Sequence, residues 1–382
     1  MDEPVSHVLV VGAGPVGAVC ALALRQQGIA VRVLEAQQAD ARADTRTLAL
    51  SHGSRLILER LGVWNRLHGV TPITRIHISQ RGALGVARLA AEEIGVPALG
   101  YVLPYVELVA ALKQMLGDAD IAVEYGVAVD RIESGAEVAT LHAADGRTLT
   151  APLVVVADGG RGDQAPPPRF ERDYDQMAVV CDVETELPHA NQAFERFTPE
   201  GPAALLPKDD RYALVWTARS DEAQRIVALP DTEFLAALQR HFGGRQGLFL
   251  QASPRKTFPL RLAYTGSEAA GRVVRIGNAA QTLHPVAGQG FNIGLRDAWE
   301  LANLCGDTAE AEIGGTAMLA AYARGRRADV MGGLGFTDFL VRVFSNDVAP
   351  LRHARGLGLL ALEALPPLKT FVARRMMFGA RG

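Results

Sequence analysis

The chain has little from which to build a disulfide framework or a metal site. Its three cysteines, Cys20, Cys181 and Cys305, are far apart and form no CxxC, so they read as reduced core thiols, and no metal centre is expected. Long apolar runs are also missing: no uninterrupted stretch approaches the ~18 residues of a membrane span. Neither charge dominates. A net charge of −3 and a pI near 6.3 provide no basic field, which argues against nucleic-acid binding. The first residues, MDEPVSH, are acidic and lead straight into a strand, with no secretory signal. These absences predict a cytoplasmic protein, soluble or at most held peripherally on the inner face of the membrane. A hydrophobic content of 48% over 382 residues supports an ample core in one large domain or two closely packed ones.

What is present starts at residue 7. An apolar strand, 7–11, runs into Gly12-Ala13-Gly14-Pro15-Val16-Gly17, then an Ala/Leu-rich helix to about Gln27, then a strand ending on Glu35. Strand, GxGxxG, helix, strand and acid together make a dinucleotide-binding unit. Gly12 allows the tight turn, Gly14 lets a pyrophosphate approach the backbone, and Gly17 lets helix and strand pack closely. Glu35 is placed to accept hydrogen bonds from ribose hydroxyls. The motif alone does not separate NAD from FAD. A second nucleotide-type loop comes late, at 277–292, where Gly288 and Gly290 leave N–H groups unshielded ahead of a helix expected near Phe291. One ligand touching both ends of the chain must be long, which favours FAD. Arg42 and Arg46 follow the second strand as candidates for the pyrophosphate or the flavin, or as exposed helix-start charges.

Between these ends, residues 54–68 have helical spacing and 107–116 read as a helix. Short strands over 122–149 form a meander with Asp145-Gly146 as a type I′ turn. Leu153 to Val156 is a buried parallel-type strand ending in Ala157-Asp158-Gly159. Asp158 thus lies where open α/β sheets bind ligands, and is a cofactor candidate or simply a turn former. Asp163 to Pro168 is rich in breakers and is the expected domain crossing. Strands dominate 177–259 apart from a helix at 232–242. Phe194, Phe197 and Trp216 there either line a pocket or pack the sheet. The expected fold is α/β: a Rossmann-like FAD-binding domain (1–73, 104–162 and 268–330), an inserted, mainly antiparallel substrate-binding sheet (74–103 and 163–267), and C-terminal helices (331–382).

GAGPVG with Glu35, VADG at 156–159 and GNAAQTLHPVAGQGFN at 277–292 resemble the three fingerprints of the p-hydroxybenzoate hydroxylase-like class A flavoprotein monooxygenases. AFERFTPEGPAALLP (193–207) and FPLRL (258–262) resemble more narrowly the ubiquinone-biosynthesis branch, the 2-octaprenyl-6-methoxyphenol hydroxylase-like group. The resemblance covers essentially the whole chain. It implies that FAD is held by Gly12, Gly14, Pro15, Gly17, Glu35, Arg46, Val129, Asp158, Gly277 and Asn278, with Pro285, Gly288, Gln289, Gly290, Phe291 and Asn292 around the flavin ring. Pro285, Gly288 and Gly290 would line the reactive face. It further implies NAD(P)H as transient reductant, O₂ as co-substrate, a C4a-hydroperoxyflavin, and a polyprenylated phenol as substrate. A ubiquinone-biosynthesis complex is an implied partner. The sequence departs from the family at Asn278 and Gln281, where Asp and His are usual, after Asp158-Gly159, and at the helix near 107, which lacks an arginine near its start.

No side chain stands out as a catalytic base, since His284 precedes a proline in a loop. The C-terminal residues 348–382 carry Arg352, Arg355, Lys369, Arg374, Arg375 and Arg381 against one acid, Glu363. They read either as a helix pair for a membrane surface or partner, or as a basic-faced structural pair. Three other functions stay open: a hydroxylase of a soluble aromatic, a flavin dehydrogenase or reductase, and a non-catalytic FAD-holding scaffold. The absence of CxxC and of a second GxGxxG disfavours the reductase.

Overall fold

The computed structural model describes residues 7–40, 46–82, 85–160, 166–266, 271–283, 288–344 and 348–381. A five-stranded parallel sheet forms its base, in the order Val273–Arg275, Leu153–Val156, Val8–Val11, Val31–Glu35, Ala122–Tyr125. Such strands are buried on both faces and read as unbroken apolar runs, as LVVV at 153–156 does. Helix Pro15–Gln26 starts with proline in its first turn, where no N–H is needed. It packs between helices Tyr105–Asp118 and Gln289–Gly306, with Leu108, Leu112 and Leu295 among the fully buried side chains they contribute.

A larger sheet stands beside the parallel one. Its path runs from Gln281–Thr282 through Lys256–Tyr264, Phe170–Thr185, Arg211–Arg219, Gly201–Lys208, Gln192–Thr198 and Arg75–Gln80 to Val86–Ala90, with Phe249–Ala252 on the side. Phe170–Thr185 is far longer than the sequence suggests, because a bulge at Asp173/Gln176, with Asp175 at φ 50°, lets it bend and keep pairing. A small sheet joins Thr47–Ser51, Gly100–Pro104 and Thr71–Ile73. Gln281–Thr282 crosses from beside the parallel sheet onto the edge of the large sheet, and Gly100–Pro104 pairs with Thr47–Ser51, across the division drawn from the sequence at 103/104.

Several local expectations change. The helix expected over 54–68 is His52–Arg60, capped by the Ser51 hydroxyl, which accepts from the Ser54 N–H at 3.2 Å. It stops before Gly62 (φ 73°), and 64–66 is a separate 3₁₀ turn. A helix at Ser220–Ala228 was not anticipated. The 143–147 hairpin is a type I turn with a Gly bulge: only Gly146 is left-handed (φ 86°), the Gly146 N–H bonds Ala143 O, and the Ala143 N–H bonds Arg147 O. Type I′ needs two left-handed residues, and Asp145 is not one. Of the linker 163–168, residues 163–165 lie outside the described residues.

The three thiols are free and buried. Burial pushes Cys305 up to about 12, and burial followed by the nearby Asp182 does the same to Cys181, so neither supplies a thiolate nucleophile near neutral pH.

Candidate active site

A single cavity of about 1240 Å³ lies between the parallel sheet and the large sheet. Its walls include Gly12, Gly14, Pro15, Glu35, Arg46, Val129, Asp158, Gly277, Asn278, Gly288, Gly290 and Phe291. Residues from both ends of the chain therefore meet around one space.

At the first end, Gly12 has φ 104°, and a Cβ there would lie 2.7 Å from the Ala157 carbonyl oxygen. Gly17 likewise has no room, because its Cβ would strike the Gly12 carbonyl. Gly14 differs: it caps helix Pro15–Gln26, and nothing lies within 4 Å of its Cβ position. The fold needs Gly12 and Gly17, whereas at Gly14 it leaves empty space at a helix N-terminus, where a phosphate is favoured. Glu35 Oε2 accepts from the Ala13 N–H at 2.6 Å and Oε1 from the Gln37 N–H at 2.9 Å. The carboxylate thus braces the glycine turn while bordering the cavity. Burial, then the charge of Glu35, raises the nearby Tyr125 phenol. The Arg46 guanidinium stacks over Tyr105, 5.4 Å from the ring centroid. Asp158 Oδ1 accepts from the Gly160 N–H at 2.8 Å, closing the turn after its strand.

At the second end, Gly288 (φ 60°) caps helix Gln289–Gly306, and its Cβ would sit 3.3 Å from that of Ala49. Asn278 is exposed on the cavity wall. Asn292 serves as a staple: its Oδ1 accepts from the Ser51 N–H (2.8 Å) and Ser54 Oγ (2.7 Å), and its Nδ2 donates to Ala49 O (3.1 Å) and Gly288 O (2.7 Å). With all these bonds made inside the protein, Asn292 positions the loop and does not face the cavity. Gln289 also turns away, donating to Met376 O at 3.3 Å. Pro285 and His284 lie outside the described residues, as does Arg42.

A buried ionic network behind this loop has no counterpart in the sequence reading. Asp297 Oδ2 accepts from the Gly277 N–H (3.1 Å) and from Gln281 Nε2 (2.6 Å), while its Oδ1 pairs with Arg326 Nε at 2.8 Å. Arg326 and Arg296 both reach Asp329 at 2.7 Å, and Asp329 also accepts from the Ala380 N–H at 3.0 Å. Burial would raise the Asp329 carboxyl, but Arg296 and Arg326 outweigh it and hold it below the usual range. Burial likewise opposes the charge on Arg326, which the Asp297 carboxylate more than restores. A signal did exist: Asp297 stands on the Ile293–Asp297–Leu301 stripe that the helix buries, where an acid needs a partner.

The third wall is the large sheet. Ala178, Val180, Leu206, Val215, Phe258 and Leu260 face the cavity, with Asp182, Ser253 and Lys256 at its polar end. Asp182 is tied to Lys208 Nζ at 2.7 Å. Of the aromatics considered for a pocket, none lines the cavity. Trp216 and Phe194 sit in the cluster under the two helices within 220–242, with Trp216 4.7 Å from the His241 ring. Phe197, three residues from Phe194, lies on the opposite face and packs on Phe344 at 4.1 Å. Strand side chains alternate, so these positions could never share a face.

An adenine-dinucleotide flavin fits what is present: open space at Gly14 on a helix N-terminus, an acid at the second strand, and a second helix N-terminus at Gly288 on the same cavity. Residues 5–333 match the family model described as "FAD binding domain". The chain is 36% identical to the ubiquinone hydroxylase UbiL of Rhodospirillum rubrum, over 98% of this chain and 90% of that protein. It is 30% identical to the 3-demethoxyubiquinol 3-hydroxylase of Escherichia coli, over 97% of both. Among solved structures, PqsL of Pseudomonas aeruginosa, a probable FAD-dependent monooxygenase, superposes with a TM-score of 0.77 at 21% identity, covering 92% of this chain and 99% of that one. Klebsiella pneumoniae HpxO with FAD and uric acid gives 0.74 at 20%, covering 99% and 98%. A chain with this cavity and these relatives belongs to the FAD-binding domain family, as an FAD-dependent monooxygenase of the ubiquinone hydroxylase group.

Proposed function

We propose that the protein hydroxylates a polyprenylated phenol in ubiquinone biosynthesis, with NAD(P)H and O₂ as co-substrates. The observation that carries this reading is the continuity of the cavity. The space beside Gly288–Phe291 opens directly onto the apolar wall of Ala178, Val180, Leu206, Val215 and Phe258, so a hydrophobic ring and the flavin ring can share one water-poor compartment. FAD, when bound, supplies the electron transfer and oxygen activation.

The chain's own residues do the rest. The backbone at Gly12 and Gly14 and the Glu35 carboxylate hold the adenosine half. The helix N-terminus after Gly288, stapled by Asn292, presents N–H groups and a positive dipole end to negative charge on the ring. The sheet excludes water. Among described residues on the sheet wall, the acid is Asp182, and Lys208 already occupies it. In this reading the phenol is activated by its own ring substituents, with no protein base indispensable.

The region 348–381 provides a peripheral contact with the membrane that holds such a substrate. Among described residues no single helix is long and apolar enough to cross a membrane.

The test is substrate-stimulated NAD(P)H oxidation by flavin-loaded protein, with a short-chain prenylated methoxyphenol beside a panel of soluble phenols. Stimulation and a hydroxylated product with the prenylated phenol are expected. Stimulation by soluble phenols alone would move the protein to catabolic or secondary metabolism. No stimulation by any phenol would leave a flavin-holding scaffold.

A further inference from the structure

A second cavity, of about 460 Å³, opens at the other edge of the large sheet, where strands Arg75–Gln80 and Val86–Ala90 meet the C-terminal helices. Arg75, Arg88 and Arg245 line it, with His77 and the acids Glu93 and Glu363. Both acids are already occupied. Glu363 accepts from the Arg88 N–H at 2.7 Å and from its guanidinium at 3.2 Å, and Lys369 Nζ sits 3.2 Å from Glu93 and 3.6 Å from Glu363. The side chains of Arg75 and Arg245 are exposed and make no hydrogen bond or ion pair among the described residues. His77, only 3% exposed, has no partner for its Nε2. Burial, then Arg245, Arg88 and Arg196, against an opposing Glu363, holds this imidazole down at about 4. Three arginines thus stand around an open pocket whose two carboxylates are already satisfied, one of them by Arg88 and both by the neighbouring Lys369. Forked guanidinium donors in that setting suit a phosphate oxyanion.

The surface beside this pocket is apolar in an unusual place. Helix Pro366–Phe378 buries Lys369, Ala373 and Met377 and exposes Leu368 and Phe371 on another side, and Leu365, which caps its start, is exposed as well. Leu357 and Leu360, on the preceding helix Ala349–Ala364 that ends beside Glu363, are also exposed. Leu368 and Phe371, three apart, are neighbours on the helix surface, here turned to the outside next to a cationic pocket. An apolar face flanked by arginines matches the two halves of an amphiphile.

We propose that the Arg75/Arg88/Arg245 pocket binds the phosphate of an anionic phospholipid headgroup while Leu357, Leu360, Leu365, Leu368 and Phe371 rest among the acyl chains. This rests on the peripheral-membrane reading above and gives it a site. It also orients the molecule, with the C-terminal helices toward the lipid.

The experiment is flotation of FAD-loaded full-length protein with vesicles of phosphatidylcholine alone, and with phosphatidylglycerol added. Phosphatidylglycerol is expected to raise the bound fraction. Arg75→Gln/Arg245→Gln should cut that gain by about fivefold for each arginine and leave binding to pure phosphatidylcholine unchanged. Arg25→Gln/Arg240→Gln, a charge-matched exposed pair outside the pocket, should keep the gain. Leu368→Ser/Phe371→Ser should lower binding to both vesicles. If the two double-Gln variants float alike, the pocket is not a headgroup site, while the membrane reading stands. If the unaltered protein floats with neither vesicle, the membrane reading falls and the proposal with it. A thermal shift by inorganic phosphate, absent with chloride at equal ionic strength and in Arg75→Gln/Arg245→Gln, without any phosphatidylglycerol gain, would assign the pocket to free phosphate and overturn the lipid.

Discussion

The Gln281 amide donates to Asp297 Oδ2 at 2.6 Å, and both side chains are 2% exposed. The residue that departs from the family's usual histidine therefore holds strand Gln281–Thr282 onto helix Gln289–Gly306. Replacing it by leucine should cost about 1–3 kcal/mol through the bond lost to a buried carboxylate. Gln281→Glu should cost more, since it adds a second acid against Asp297. Urea denaturation of each variant, with bound flavin measured after desalting, checks this; an unchanged midpoint for Gln281→Glu would contradict it.

Gly14 and Gly17 should separate ligand binding from folding. Gly14→Val points into open space in the protein, so the flavin-free protein should still fold and lose only about 1 kcal/mol, the cost of a poorer helix N-cap, while flavin retention is abolished by collision with the pyrophosphate. Gly17→Val meets the Gly12 carbonyl and should fail to fold. Absorbance of released flavin and thermal melting of the flavin-free forms distinguish the two. Near-normal flavin in Gly14→Val would mean the amino-terminal motif does not hold the pyrophosphate.

Asn292→Ala removes four hydrogen bonds that tie Gly288 and Ala49 to Ser51 and Ser54. At about 1 kcal/mol for each net bond, the loss should be on the order of 4 kcal/mol. Because Asn292 positions the loop from outside the cavity, flavin dissociation should speed up while the spectrum of residual bound flavin stays unchanged. Stopped-flow release kinetics and visible absorbance report the two effects separately.

Stability should fall on the acid side of neutrality before the carboxylates titrate. Burial, then Arg81 and Arg196, holds His241 down at about 3, with Glu200 opposing, and His77 is held at about 4. Both fold as neutral rings, whereas the unfolded chain takes up protons near 6.5. Their contribution is thus complete above about pH 6.5 and is lost as pH drops toward the folded values. His241→Phe, filling the same space against Trp216, should flatten the decline in urea midpoint between pH 6.5 and 4. An equally steep decline would mean His241 is not the group that charges.

The amino-terminal strand–turn–helix–strand unit, whose Gly12, Gly14 and Glu35 border the cavity, was legible because its signals are local. The Gly-rich turn, the helix after it and the strand ending on Glu35 follow one another within 30 residues; Gly17 is required by the Gly12 carbonyl five residues away, and Glu35 braces the Ala13 amide. The apolar run Leu153–Val156 announced a buried parallel strand in the same way. Tertiary structure alone decided what the later residues do. Asn292 and Gln289 carry the same loop motif as Gly288, yet point into the scaffold, because helix Gln289–Gly306 turns each successive side chain by a fixed angle and only one stripe meets the cavity. Phe194 and Trp216 against Phe197 were settled by which face of the large sheet received the two helices within 220–242. The network of Asp297, Arg326 and Asp329 joins positions up to 32 residues apart, and Ala380 joins from farther still. An acid on an apolar stripe states that a partner must exist, but the partner's identity depends on how the helices cross, which no local spacing encodes.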